Sequence, residues 1–336
     1  MNVKTYSVCI PVFCRFFEFK KTLQSILDQT YPPIEIIVVD NNNNKEESER
    51  LKSYINNFDS KIKIILVKNK LNSGAIARNI GANLANGDFV ALIDSDVLLD
   101  RNYAQNIIKI FNTDKEIIGV QGVDTNLQDE FIKTFKSYKS RFIYLLEYIF
   151  QSSQIFLKGK PLLLPSLVVT HPSPPFNFYY ESEWISTCAC FFKKSAFDNY
   201  QFCNQFITYS WNEYILFSHS IYKDNIGKLI YTSSAEYTGI ITNEGRLPKI
   251  PLQYMAEVYD QYIFRKLFKF NFVNITFFII SRLGRIFYFY LSNIRKRKLN
   301  LQIIFLPISA LFYAIRHSKE IKKGDLSFYN IDFGED

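Results

Sequence analysis

Between residues 6 and 99 the chain switches repeatedly between two hydrophobic periods, and this alternation restricts its fold more than any other feature. "YSVCIPVF" (6–13), "IEIIVVD" (34–40), "IKIILV" (62–67) and "DFVALID" (88–94) are short apolar runs, the pattern of strands buried on both faces. Segments of helical period separate them. "FEFKKTLQSILDQT" (17–30) puts Leu23, Ile26 and Leu27 on one side, a polar helix is predicted around 46–57, and "GAIARNIGANLANG" (74–87) is helical with Gly87 as its stop. Strands joined by helices of this length imply an α/β fold with a mostly parallel sheet covered on both faces. Ligands of such sheets bind beyond the carboxyl ends of the strands.

That rule gathers residues far apart in the chain. Pro11–Cys14 ends the first strand, Asp40 the second, and Asp94–Asp96 the fourth, while the helix beginning at Gly74 points its amino end toward the same edge. In "FVALIDSDVLLD" (89–100) two carboxylates stand one residue apart where a buried strand stops. They cannot continue into the sheet, because an unpaired buried carboxylate is costly to desolvate. Two readings remain at this level. Asp-Ser-Asp is a turn whose side chains bond their own backbone, or it is one wall of a crevice holding Asp40, Asp94 and Asp96, which suits a divalent cation together with a diphosphate. The first strand runs into "PVFCRFFEF" with no G-x-G-x-x-G and no P-loop glycines, which excludes the dinucleotide and P-loop fingerprints.

At 336 residues the chain can bury a full core, and 48% hydrophobic content with 32 Phe and 22 Tyr argues against disorder. The opening "MNVKTYSVCIPVF" enters a strand without a basic, then long apolar, leader, so no signal peptide is expected. Five cysteines, with Cys188 and Cys190 alternating in an apolar run, suggest reduced core thiols of a cytoplasmic protein rather than a zinc site. The net charge of +8 is local. Residues 261–319 hold eleven Lys and Arg and no Asp or Glu, which leaves 29 basic and 32 acidic side chains elsewhere. The basic residues are interleaved with long apolar stretches, so a nucleic-acid groove is not expected.

The stretches "SVCIPVFCR", "QTYPPIEIIVVDN" and "NSGAIARNIGANLANGDFVALIDSD" stand in the order and spacing of the family 2 glycosyltransferases, which this chain resembles over residues 5–125 and more weakly to about 240. The resemblance implies a nucleotide-diphospho-sugar transferase (GT-A) fold and an inverting transfer from a nucleotide sugar, UDP-linked, with Mg or Mn. By that resemblance Asp40 meets the uracil, and Asp94–Asp96 binds metal and donor diphosphate. Arg78 and Asn79 match the family's Arg-Asn pair, which organises the donor site. The donor-binding set is therefore Pro11, Asp40, Arg78, Asp94, Ser95 and Asp96, with Asp94 and Asp96 on the metal. A nucleotidyltransferase of similar fold is disfavoured, since its glycine-rich amino-terminal loop is missing.

Inverting transfer needs a general base for the acceptor hydroxyl. Trp211-Asn212-Glu213 stands where the family carries a Glu-Asp pair opening a helix, with Leu216 as the helix leucine, which makes Glu213 the candidate base. Asn212 replaces the family's first acid, and Glu213 reaches one methylene further than the second. The competing reading is an acid favoured by the helix dipole. Glu181, Glu183 and Asp198 are the next carboxylates. Relatives also carry a histidine after the segment matching "TSSAEYTG", which is absent here. His219 is read as structural, and His171, in "THPSPPF", as shaping the acceptor entrance.

In the tail, "NFVNITFFIISRLGRIFYFYLSNIRK" (271–296) has a polar stripe of Asn271, Asn274, Arg282, Arg285, Asn293 and Lys296 opposite Phe and Tyr, made imperfect by the intruding Ile275, Phe278 and Phe289. "LNLQIIFLPISALFYAI" (299–315) is short for a membrane span and interrupted by Pro307, and "RKRK" (295–298) precedes it. This is the pattern of a helix lying on anionic lipid, or of an aromatic cap packed as core. The expected organisation is a nucleotide-sugar subdomain (1–125), an acceptor subdomain (126–260) and a membrane-associating tail (261–336). The expected location is cytoplasmic, peripheral on the inner membrane face, with a glycan or lipid-linked acceptor in surface-polysaccharide synthesis. A non-catalytic, membrane-bound sugar-binding subunit is the rival reading, motivated by Asn212-Glu213.

Overall fold

The computed structural model describes residues 4–151, 155–173, 177–295 and 301–333. Residues 296–298 of the basic run and 174–176 of the proline-rich segment lie outside them. The chain forms two compact units: Met1–Gln128 with Pro175–Arg246, and Asp129–Pro174 with Leu247–Gly334. The elements begin β1 (Tyr6–Val12), α1 (Phe16–Leu27), β2 (Glu35–Asp40), α2 (Lys45–Asn56), β3 (Lys63–Lys68), α3 (Gly74–Leu84), β4 (Phe89–Ile93) and β5 (Val97–Leu99). Next come α4 (Tyr103–Phe111), β6 (Ile117–Asp124), α5 (Asn126–Phe135), α6 (Tyr138–Phe150), β7 (Ile155–Leu157), β8 (Thr170–Pro172), β9 (Tyr179–Ser182) and β10 (Ala189–Lys193). The chain closes with α7 (Glu213–Lys223), β11 (Lys228–Gly239), α8 (Lys249–Leu267), α9 (Phe272–Arg295), α10 (Leu301–Arg316), α11 (Ser318–Lys323) and α12 (Ser327–Phe333).

The first unit is a nine-stranded sheet in the order β3-β2-β1-β4-β10-β6-β11-β5, with β9 added on β11. β1 pairs in parallel with β2 and β4, and β2 with β3. β10 runs antiparallel to both β4 and β6, and β6 pairs in parallel with β11, so six of the nine strands share one direction. β2 and β4 are buried along their whole length, as their unbroken apolar runs require. β3, at the edge, exposes Lys63 and Lys68 at its two ends, charges that deter pairing with another chain. Helix starts are capped: the Asn44 side chain accepts from Glu46 N and that of Ser73 from Ile76 N.

Two positions show how local chemistry fits this sheet. Pro11 sits in a central strand, where its missing N–H would normally cost a ladder bond. Val12 faces β2, its carbonyl accepting from Asn41, so Pro11 faces β4, and β4 pairs with β1 only as far as Cys9. Gly87 is not the stop of α3, contrary to expectation. The helix is capped at Ala85, whose N–H bonds Gly81, and Gly87 is needed because a Cβ there would lie 2.6 Å from the Tyr6 Cα.

The second unit joins α8–α12 and α6 with the two-stranded parallel pair β7–β8. Its boundaries differ from the division read off the sequence, and α8 runs through residue 260. Pro307 lies inside α10 rather than ending it. In the turn that Pro307 disrupts, the Ile304 carbonyl accepts the Tyr290 hydroxyl of α9. His171 is in β8 rather than in a loop, buried against Phe156 with their rings 6.1 Å apart, and burial lowers its pKa to about 4, so it is neutral.

The middle and end of the polar stripe, Arg282, Arg285 and Asn293, face α8, whereas Asn271 is exposed and Lys296 lies outside the described residues. Arg282 and Arg285 each place Nη1 2.5 Å from Asp260 Oδ2 on α8, and Arg282 Nη2 donates to the Ser166 carbonyl. Asn293 accepts from Lys249 of α8, and Asn271 caps the start of α9 through Asn274 N. The Phe264 and Phe278 rings complete the α8–α9 contact, 4.5 Å apart.

Candidate active site

The carboxyl ends of β1, β2 and β4 open onto one edge of the first unit, and the expected residues gather there with several others. Asp94 and Asp96 follow β4. Arg15, just beyond β1, places Nη1 2.8 Å from Asp96 Oδ2. Arg78, in the second turn of α3, bonds Asp94 Oδ1 through Nη2 and Glu213 Oε1 through Nη1. Glu213 opens α7, so one guanidinium links the acidic pair after β4 to the carboxyl chosen as a base.

Five charged groups thus meet in a largely buried cluster: two arginines and three carboxylates. Burial pushes Asp96 up to about 6, helped by the negative charge of Asp94 and opposed by Arg15 and Arg246. Burial likewise pushes Glu213 up to about 7; Arg78 opposes the shift and Asp94 adds to it. Glu213 Oε2 and Arg78 Nε are buried with no hydrogen-bond partner. Cys9 packs beside this cluster, and burial pushes its thiol up to about 12, so it is not a nucleophile at neutral pH.

The segment before α7 is held in costly backbone. Thr208, Ser210 and Asn212 all have positive φ, at 51°, 51° and 57°. A left-handed β-branched residue is a genuine outlier, and such conformations cost on the order of 1–3 kcal/mol each. Bonds to the start of α3 hold the segment in place: Thr208 N donates to Asn72 O (2.6 Å), Gly74 N to Thr208 O, and Ala75 N to Ser210 Oγ. Anchored this way, the segment delivers Glu213 to Arg78. On the other side, Ile240 N donates to Asp96 O, Arg15 Nε donates to Glu244 O, and Gly245, at φ +66°, lies against the Phe13 carbonyl. These bonds bring Arg246 near Asp96.

The remaining expected residues are placed as follows. Asp40 is buried at the end of β2, where Oδ1 accepts from Asn42 N and Nδ2 and Oδ2 meets Lys68 Nζ at 3.1 Å. Ser95 is buried, and its carbonyl accepts from Thr22. Pro11 lies within β1, one residue before its end. Asn79 turns away from the charged cluster and fastens the 202–204 loop, bonding Phe202 N and O and Asn204 Oδ1. His219 bonds the Glu183 carbonyl at 2.9 Å, a structural role. Sequence reasoning missed Arg15, Lys68 and Arg246. Arg15 had a legible signal, being the first cation after β1 on the edge where Asp96 was expected.

A divalent metal fits the acidic pair in kind. Each arginine takes one oxygen of its carboxylate, and hard oxygen ligands suit Mg or Mn. Among the described residues no group of three His, Cys, Asp or Glu could enclose an ion. Two carboxylates therefore fit only a cation whose shell is completed by diphosphate oxygens and water, as Mg²⁺ commonly has.

A mixed sheet with four parallel strands at one side, β10 inserted antiparallel, and an acidic pair after β4 is the GT-A fold of nucleotide-sugar transferases. Residues 7–167 of the chain match the family model of glycosyl transferase family 2. A glucosyl-dolichyl phosphate glucuronosyltransferase of Haloferax volcanii is 30% identical over 116 residues, which is 34% of this chain and 36% of that relative. S. aureus TarS 1–349, solved with UDP-GlcNAc, superposes with TM-score 0.54 at 15% identity, covering 93% of this chain and 81% of TarS. The Pyrobaculum calidifontis mannosyltransferase PcManGT, solved with GDP-Man and Mn²⁺, superposes with TM-score 0.53 at 13% identity, covering 95% and 88%.

Proposed function

We propose that the chain transfers a sugar from a nucleotide sugar, UDP-linked, to a glycan or lipid-linked acceptor, with inversion and with a divalent metal. The observation that carries this reading is the Arg78 bridge, which sets a buried carboxyl of raised pKa beside the acidic pair after β4. Glu213 takes the proton of the acceptor hydroxyl as that oxygen attacks the anomeric carbon, and a pKa near neutrality suits this work. Asp94 and Asp96 would hold the metal, whose positive charge would offset the charge gathering on the departing diphosphate. Arg15 and Arg78 orient the two carboxylates and supply positive charge to the same edge. Asp40 and Lys68 set the end of β2, where the base of the nucleotide is read. The relative named for a dolichyl-linked sugar and the neighbours solved with UDP-GlcNAc or with GDP-Man and Mn²⁺ support these choices. The expected setting is surface-polysaccharide synthesis, peripheral on the cytoplasmic membrane face.

Release of UDP from candidate UDP-sugars, with Mg or Mn and with chelator, tests this reading. Turnover is expected only with metal. Asp96→Asn should leave the fold intact, by circular dichroism, and abolish the metal-dependent release; full activity in that variant at saturating donor would remove the metal assignment. Binding of UDP without release from any donor would assign the chain to the non-catalytic reading. Asp40→Asn is expected to weaken UDP binding in calorimetry about tenfold, the loss of one charged contact of ~1.4 kcal/mol. Unchanged affinity would move base recognition elsewhere.

A further inference from the structure

We propose that α6, α9 and α10 together form a docking face for an anionic phospholipid bilayer. This deepens the peripheral placement proposed above and rests on it. In water-soluble proteins an amphipathic helix turns its apolar stripe inward and its charges outward. α9 does the reverse. Arg282 and Arg285, midway along it, turn toward α8, with Arg282 2% exposed and paired to Asp260, which is 0% exposed. Its apolar residues Phe272, Ile279, Leu283 and Phe287 are exposed and share one helical face.

Two further helices repeat the pattern. On α6, Tyr138, Phe142, Leu145 and Ile149 are exposed at i, i+4, i+7 and i+11, a single stripe. On α10, Phe305, Ile308, Phe312 and Ile315 are exposed at i, i+3, i+7 and i+10. α6 joins α9 through the Phe150 and Phe287 rings, 6.0 Å apart, and α9 joins α10 through Tyr290 and Ile304. Contiguous apolar surface on this scale marks an interaction site.

Charge decides the occupant. Exposed Lys266 and Lys269 precede α9, and exposed Arg316 and Lys319 follow the α10 stripe. Glu147 is the only acidic residue in α6, α9 and α10, and it is half-buried. An apolar face rimmed by cations matches acyl chains beneath anionic headgroups. α6 and α10, at 13 and 16 residues, are about 20 and 24 Å long, shorter than the ~30 Å hydrocarbon core. α9 is long and apolar enough to cross, but midway along it Arg282 and Arg285 are tied to Asp260 of α8, which holds that side of the helix against protein. The helices therefore lie in the headgroup region rather than cross the bilayer.

The test is co-flotation of the full chain with vesicles of phosphatidylcholine, with and without phosphatidylglycerol. Binding is expected to the anionic vesicles, weakening as salt rises past about 0.1 M. Phe142→Ser with Leu145→Ser, on α6, should lower vesicle partitioning at least about tenfold, with unchanged circular dichroism and UDP affinity. Leu283→Ser with Phe287→Ser, on α9, repeats the test should the α6 variant misfold. Flotation of the variants at full strength would overturn the docking face while leaving peripheral placement standing. Failure of the full chain to bind anionic vesicles would overturn both. A self-associating chain that the α6 variant turns monomeric, without vesicle binding, would make the face a contact between copies and overturn the proposal.

Discussion

Exchanging Glu213 for glutamine is expected to lower turnover on the order of 10²–10⁴-fold, the usual contribution of a general base, and to spare UDP affinity. Glutamine keeps the size and the bond to Arg78 but cannot accept a proton. Glu213→Asp should be impaired less, since it keeps the chemistry and loses only reach. With Glu213 pushed up to about 7 by burial, the base is formed, and turnover climbs, as pH rises through about 7. Stability moves the other way. The folded carboxyl holds a proton that the unfolded chain releases near pH 4.3, so this group's contribution is full below about 4.3 and falls as pH rises to about 7. Glu213→Gln should flatten that part of the stability profile. Turnover and melting temperature measured on both variants separate the base from a helix-start acid, for which turnover would stay near normal and melting would drop slightly.

Removing Arg78 is expected to produce the largest stability loss at the site. Arg78→Met leaves Asp94 and Glu213 facing each other without their shared cation, and breaking a buried pair in this way costs about 3–5 kcal/mol. Urea unfolding should show a lower midpoint with an unchanged slope. The loss should shrink in acid, where the orphaned carboxyls take up protons, and should be greater near pH 8 than near pH 5, to within about a unit of the Glu213 value. Arg78→Lys should fall between, since a single ammonium lacks the planar fork that reaches two carboxylates. A loss under about 1 kcal/mol, or one independent of pH, would show that the bridge contributes little.

Much of the first unit was legible before the structure. β1, β2, β3 and β4 begin and end within one or two residues of the runs read from the sequence, because buried parallel strands must be continuously apolar. Asp94 and Asp96 were legible because charge cannot enter such a strand. Gly87 was misassigned for a physical reason. Sequence shows that glycine permits a left-handed cap, yet here it permits the approach of Tyr6, a contact 81 residues away in the chain. The arginines of α9 are a second case: their spacing was plain, but not the direction in which they point.

The sequence by itself determined the alternation of strand and helix, the carboxyl edge with its acidic pair, and the concentration of positive charge in residues 261–319. These follow from hydrophobic period and from the cost of burying charge, both readable along one strand or helix. Only the tertiary structure decided which cations answer which carboxylates. Arg15 with Asp96, Arg78 with Glu213 and Arg282 with Asp260 each join separate elements, so no local period encodes them. It also decided the pKa of Glu213, because desolvation depends on what the fold packs around a group and not on its neighbours in the chain.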